Sequence, residues 1–93
     1  MRQYELIAVF PSEEELFRQG KEAVAAELAK QGARDVKEDD MGDRQLAYEI
    51  KKRTRGHYIL FTMNLDPQKV VPAERAFKLN ANVLKYLFVR AEA

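Results

Sequence analysis

The sequence contains no cysteine and no tryptophan, and it has one histidine, four glycines and three prolines. Without cysteine the chain forms no disulfide and lacks the thiolates typical of structural zinc and iron–sulfur sites. His57 cannot build a metal site alone, so we expect no metal and no cofactor. No apolar run approaches the ~20 residues that span a bilayer, and the N-terminus lacks the apolar block of a signal peptide. We therefore expect a cytoplasmic protein without membrane attachment.

The composition is that of a single folded domain covering residues 1–93. Hydrophobic residues make up 46% and charged residues 33% of the chain, as in soluble globular proteins. The net charge of +1 hides an asymmetry, because residues 1–44 hold seven Lys/Arg and eleven Asp/Glu, whereas residues 45–93 hold nine and four. The second half suits a polyanion, although ordinary solvated surfaces explain the charges equally well.

The N-terminal third predicts a strand followed by a helix. Apolar residues alternate from Arg2 to Phe10, which is the period of a strand. The segment Ser12–Glu15 matches a capping box, in which the serine hydroxyl accepts a bond from a helix amide and the glutamate reaches back. The helix is expected over residues 13–31, and Gly32 is expected to end it in the left-handed conformation.

Residues 34–65 predict a long antiparallel hairpin. The first strand is expected from Arg34 to Ile50 and the returning strand from Tyr58 to Leu65. The segment KKRTRGH, residues 51–57, is interpreted as the turn, with Gly56 supplying flexibility.

A second helix and a fourth strand complete the pattern. Asp66 and Pro67 provide an N-cap and a first-turn proline for a helix that ends near Leu79. Pro72 lacks an amide, so either the first turn is distorted or the regular helix begins one residue before it. Val83–Arg90 forms the last strand. The order predicts an α+β, ferredoxin-like split β-α-β fold (βαββαβ), with a four-stranded antiparallel sheet and two helices on one face.

The sheet face opposite the helices, which we call the open face, is expected to be unusually apolar. Alternation directs Tyr4, Leu6, Ala8 and Phe10 of the first strand toward the helices and its other residues outward. A contiguous exposed apolar patch usually marks a partner surface, although strands also favour such residues intrinsically. We predict that this surface binds a protein through Ile7, Val9, Tyr58, Leu60, Leu87 and Val89.

Catalytic chemistry finds little support, so we expect no catalytic residue and no small-molecule substrate. His57 has no serine or cysteine within sequence reach. The carboxylates of residues 38–43 lack the spacing of a calcium loop. Acylphosphatases share this fold but carry a glycine-rich phosphate loop after the first strand, where Phe10–Glu13 here would repel a phosphate. A small acylphosphatase-like enzyme is the weakest alternative.

RNA binding is better supported. The RNA-recognition motif has the same strand order and stacks bases on aromatic residues of its third strand. Residues 55–61, RGHYILF, resemble that strand in the opening Arg-Gly and in Tyr58, but His57 and Ile59 replace expected aromatics. Four cations within residues 51–55 suit phosphate groups, and solubility of a hairpin tip explains them equally well. A stand-alone RNA-recognition-type module therefore stays an alternative.

The stretch GDRQLAYEIK, residues 42–51, closely resembles the signature of bacterial small-subunit ribosomal protein six. That signature has a glycine, a basic residue two positions on, a polar residue, Leu-Ala-Tyr, any residue, isoleucine and a polar or basic end. The opening MRQYEL and the closing LNANVLKYLFV also resemble the family, so the resemblance spans the chain. The sequence departs at Ala81, where the family usually carries an acidic residue, and at Pro72.

The resemblance implies a structural, non-catalytic protein of the small ribosomal subunit. Such a protein binds the central domain of small-subunit rRNA together with ribosomal protein eighteen, and we expect a monomer when it is isolated. Arg2 and Arg44 match basic positions of the family motifs, the hairpin cations rest on charge density, and Lys85 projects from the open face. The predicted rRNA-contacting set is Arg2, Arg44, Lys51, Lys52, Arg53, Arg55, Lys85 and Arg90.

Overall fold

The computed structural model describes residues 1–91 and confirms the predicted order of elements. The strands are β1 (Arg2–Phe10), β2 (Arg34–Ile50), β3 (Arg53–Leu65) and β4 (Lys85–Arg90). The helices are α1 (Glu14–Lys30) and α2 (Val70–Leu79), and a 3-10 turn (Pro67–Lys69) precedes α2. The strands form one antiparallel sheet in the order β2-β3-β1-β4, which is the ferredoxin-like arrangement.

The main core lies between the sheet and the two helices. The helix-facing side of the sheet is the side that alternation predicted, and both helices contribute to the same cluster. Fully burying one leucine or phenylalanine stabilises the fold by roughly 1.5–3 kcal/mol. The buried residues of this cluster are Tyr4, Leu6, Ala8, Phe10, Val24, Leu28, Ile59, Phe61, Met63, Leu65, Ala73, Phe77 and Val83.

The sequence predicted the C-terminal end of α1 correctly and its N-terminal cap incorrectly. Gly32 has φ of 84°, as expected of a left-handed residue after the helix. The capping box is wrong, because the N-cap residue is Glu13 and its side chain makes no capping bond. The Ser12 hydroxyl instead donates to Asp43 Oδ1 at 2.6 Å, a partner 31 positions along the chain.

The start of α2 is distorted, as one of the two predicted outcomes for Pro72 required. The Asp66 side chain accepts from the Gln68 amide at 2.9 Å, and a 3-10 turn follows. Pro72 then falls in the first turn of α2, where a missing amide is tolerated.

The hairpin turn is shorter than predicted. Only Lys51 and Lys52 form it, with φ of 49° and 65°, and β3 begins at Arg53. Positive φ at both central residues is the geometry of a type I′ turn, which favours Asn-Gly and disfavours other side chains. The interpretation of residues 51–57 as the turn is therefore wrong.

The hairpin extends beyond β1 and bends across the open face. Phe10, the last residue of β1, pairs with His57, so the segments on either side of the turn have no β1 neighbour. We call residues 44–56 the hairpin arm. Leu46 of this arm is buried in a second cluster with Val9 and Leu84. Gly56 permits this close approach, since a Cβ atom there would lie 2.5 Å from Val9 Cγ1.

The position of the hairpin arm contradicts the predicted exposure of one residue of the protein-binding surface. Val9 lies on the open face and pairs with Tyr58, as alternation predicted. Its side chain is only 2% exposed, however, because Leu46 and Leu84 cover it. Val9 therefore belongs to a small core of the chain itself, and little of its surface is left for a partner.

Candidate functional site

An apolar row crosses the centre of the open face. Leu60 of β3 pairs with Ile7 of β1, and Ile7 pairs with Leu87 of β4. Leu87 is 54% exposed and Val89 is 38% exposed, whereas Ile7 and Leu60 are half-buried. Exposed apolar side chains on neighbouring strands form a continuous patch of the kind that binds another protein.

The patch has defined borders. Thr62, Asn64 and Glu5 make the face polar toward the start of β1, and the hairpin arm closes the other end. Between them lies a depression of about 200 Å³. Its lining residues are Ile7, Val9, Tyr58, Lys85, Tyr86 and Leu87.

The aromatic residues of β3 are not presented as they are in an RNA-recognition motif. Tyr58 is partly buried and packs against the second cluster, beneath the arm. The His57 ring lies on the helix side and stacks on the Phe17 ring, with 3.9 Å between the ring centres. Its Nε2 atom lies 2.6 Å from Asp40 Oδ1. Stacking of bases requires an exposed ring face, so the geometry disfavours a stand-alone RNA-recognition-type module.

Two lysine contacts hold the hairpin arm against the start of β4. Lys51 Nζ donates to the Val83 carbonyl at 3.3 Å. Lys85 Nζ donates to the Tyr48 hydroxyl at 3.0 Å and lies 5.2 Å from the centre of its ring. The hydrogen bond to Tyr48 raises the pKa of Lys85 above its ordinary value.

Tyr48 was not among the predicted site residues. Tyr48 is 60% exposed and lies beside the depression, where its hydroxyl contacts Lys85. The position belongs to the Leu-Ala-Tyr of the signature stretch, which is the only sequence signal that singled it out.

Arg53 and Arg55 of the predicted RNA-binding set pair with carboxylates of the chain. Arg53 Nη1 donates to both carboxylate oxygens of Glu13, the longer bond being 2.7 Å, and Arg55 Nε donates to Asp43 Oδ2 at 3.2 Å. The Arg53 contact ties the arm to the start of α1, and the Arg55 contact ties it to β2. They also offset part of the positive charge that made the segment attractive for phosphate.

The remaining cations of that set do not form a single cluster. Arg44 bonds the Met41 carbonyl, and Lys52 makes no ion pair within residues 1–91. Arg2 lies opposite Leu65 in the strand register, and Arg90 lies opposite Tyr4, so both are at the other end of the sheet. Because a strand rises about 3.4 Å per residue, β1 separates the two groups by roughly 27 Å. Contact of these residues with rRNA stays a prediction.

The carboxylates that anchor the arm should make stability depend on pH. Hydrogen bonds from Ser12 and then Arg55 hold the pKa of Asp43 below its ordinary value. A depressed folded-state pKa stabilises the protein above the unfolded pKa of about 4, and that stability is lost as the pH falls through the folded value. We expect Asp43→Asn to lower Tm at pH 7, with the difference from wild type narrowing below about pH 4.

The matched control is Asp39→Asn, since Asp39 is exposed and makes no ion pair within the described residues. Its Tm should stay close to that of wild type across the same pH range. Thermal denaturation at several pH values measures both variants. If the Tm of Asp43→Asn lay equally far below that of wild type at low pH, the ionised carboxylate of Asp43 would not be the source of the stability.

No group of three or more His, Asp or Glu residues in the part of the chain described here is arranged to hold a metal ion. Among these residues there is also no helix long and apolar enough to cross a membrane.

Comparison with known proteins identifies relatives over the full chain. A family model described as ribosomal protein S6 matches residues 3–90. Small ribosomal subunit protein bS6 of Treponema denticola is 49% identical over 92 residues, covering 99% of each chain. The bS6 protein of Treponema pallidum is 44% identical over 93 residues, covering 100% of each.

A solved structure shows the same fold. The crystal structure of 30S ribosomal protein S6 from Thermotoga maritima matches with a TM-score of 0.81 at 24% identity, covering 96% of this chain and 86% of that one. A de novo designed protein also matches, with a TM-score of 0.58 at 13% identity over 100% of this chain and 99% of that one. The fold alone therefore does not identify a function.

Proposed function

The chain belongs to the ribosomal protein S6 family of the small ribosomal subunit, and we propose that it binds the central domain of small-subunit rRNA together with ribosomal protein eighteen. The family is structural and non-enzymatic. In this proposal ribosomal protein eighteen docks on the open face and rRNA contacts the hairpin arm. The observation that carries it is the partly exposed apolar row Leu60–Ile7–Leu87 beside an arm with a cationic tip.

The open face supports the protein half of the proposal. Its apolar centre has polar borders, which is the layout of a protein interface with an apolar core and a polar rim. Five residues of the predicted surface remain available for this contact after the correction of Val9. They are Ile7, Tyr58, Leu60, Leu87 and Val89.

The hairpin arm supports the RNA half. Lys51 and Lys52 stand at its tip with both side chains exposed, and their left-handed backbone is unfavourable for lysine. Residues in a strained backbone conformation are concentrated at functional sites, which supports a functional role for these two lysines. Exposed ammonium groups bind phosphates by releasing counterions, which makes the affinity fall with salt.

The direct test is retention of both partners by the full chain. We expect the immobilised protein to retain ribosomal protein eighteen and small-subunit rRNA from a bacterial lysate, with the RNA lost first as salt is raised. A chain denatured on the same support is the control for nonspecific binding. Retention of neither partner would contradict the proposal.

A further inference from the structure

The outer surface of α2 carries cations that lack carboxylate partners. Lys69, Arg75 and Lys78 are exposed, and none of them takes part in an ion pair within residues 1–91. The contrast is with α1, where Arg18 pairs with both Glu15 and Glu22. No motif distinguishes the α2 cations from ordinary solvated residues, and none of them was in the predicted RNA-binding set.

Charge is distributed unequally between the two edges of the sheet. Residues 13–43, which contain α1 and most of edge strand β2, hold ten Asp/Glu and five Lys/Arg. Residues 66–90, which contain α2 and the opposite edge strand β4, hold two Asp/Glu and five Lys/Arg. The molecule thus presents an acidic edge and a basic edge, so a polyanion is attracted to the α2–β4 side.

The basic edge also contains a shallow, open depression. A depression of about 250 Å³ lies between α2 and β4, lined by Val71, Glu74, Arg75, Lys78 and Tyr86. Val71, Arg75 and Lys78 share one helix stripe because their spacing is close to two helical turns. Tyr86 is fixed there by its ring contact with Phe77, at 6.0 Å between centres. Arg75 and Lys78 of the helix therefore lie beside Tyr86 of the strand.

We propose that this α2–β4 edge is a second RNA-binding surface, in which Arg75 and Lys78 contact the phosphate backbone. The inference rests on the proposed function, because the polyanion is taken to be the same rRNA. Arg75 offers a planar guanidinium that binds phosphate through two parallel bonds, and Lys78 adds a point charge three positions along the helix. Because β4 also borders the open face, RNA held here would run past the docked protein partner.

The test compares two pairs of charge-removing substitutions. The edge variant is Arg75→Gln with Lys78→Gln. The control is Lys30→Gln with Arg34→Gln, which removes the same charge from exposed residues on the acidic side that also make no ion pair within residues 1–91. Binding to a transcript of the rRNA central domain, with ribosomal protein eighteen present, is measured between about 50 and 200 mM salt.

We expect the edge variant to weaken binding and to reduce the slope of log affinity against log salt by about 2, since each lost phosphate contact reduces it by about 1. The control should keep the wild-type slope. Equal losses in both variants would indicate a general charge effect and overturn the inference. An unchanged slope in the edge variant would also overturn it. So would an edge variant that binds ribosomal protein eighteen more weakly in the absence of RNA, because the loss would then come from the protein partner. Failure of wild type to bind the transcript would instead contradict the proposed function itself.

Discussion

Leu87→Glu should weaken pairing with ribosomal protein eighteen by about 100-fold while leaving the isolated chain folded. Burying a leucine contributes roughly 1.5–3 kcal/mol, and an unpaired carboxylate in its place adds a desolvation penalty. Leu87 is suitable because it is 54% exposed on edge strand β4. Leu60 is less suitable, since it pairs with Asp39 and a second carboxylate there would repel the first.

Val36→Glu provides the matched control. Val36 is an apolar residue of β2 that is 39% exposed and lies outside the patch, so both its Tm and its affinity for the partner should stay near wild type. Calorimetric titration and thermal denaturation measure the two quantities. If Leu87→Glu binds ribosomal protein eighteen as tightly as wild type, the open face is not the binding site for that protein. A large fall in its Tm would show that Leu87 supports the fold itself.

Lys51→Asn combined with Lys52→Gly should stabilise the protein and weaken its binding to rRNA. Asn-Gly is the preferred sequence of a type I′ turn, whereas a lysine with positive φ is strained by about 1–2 kcal/mol. The loss of the Lys51 bond to the Val83 carbonyl offsets about 1 kcal/mol of that gain. Two phosphate contacts are removed at the same time, so the salt slope should fall by about 2.

The control is Lys51→Gln with Lys52→Gln, which removes the charge and keeps the strained turn. It should reproduce the loss of RNA affinity without the gain in stability. Chemical denaturation and RNA titration separate the two effects. Unchanged RNA affinity in both pairs would show that the turn lysines only keep the hairpin tip soluble. Equal stability of the two variants would show that the turn is not strained.

Local pattern was sufficient to predict most of the fold. Alternation in β1 and β3 set which residues face the helices, because the side-chain period of a strand is two. Gly32 and Asp66 marked helix ends through their own backbone and side-chain preferences. These signals act within a few residues, so a single sequence contains them.

Contacts between distant segments could not be predicted in the same way. Val9 has the alternation of an exposed residue, and only the bend of the hairpin arm brings Leu46 over it. Ser12 fits a capping motif locally, yet Asp43 competes for its hydroxyl from another strand. The pairing of Arg53 with Glu13 spans 40 positions, which charge density along the chain cannot reveal.

For the candidate site, the structure tests only where the predicted residues lie, and their binding roles stay predictions. The apolar open face and the cationic hairpin tip are where the sequence placed them. The predicted cations divide between two ends of the sheet. The cations of the α2–β4 edge were not singled out, because isolated lysines and arginines on a helix are common on any solvated surface.

The central claim is that protein and RNA occupy different surfaces of this chain at the same time. Native mass spectrometry of an equimolar mixture with ribosomal protein eighteen and the rRNA central-domain transcript tests it most directly. We expect a complex containing one copy of each component, because the open face and the hairpin tip are separate surfaces. If only binary complexes form, with each partner displacing the other, the two share one surface and the account is contradicted.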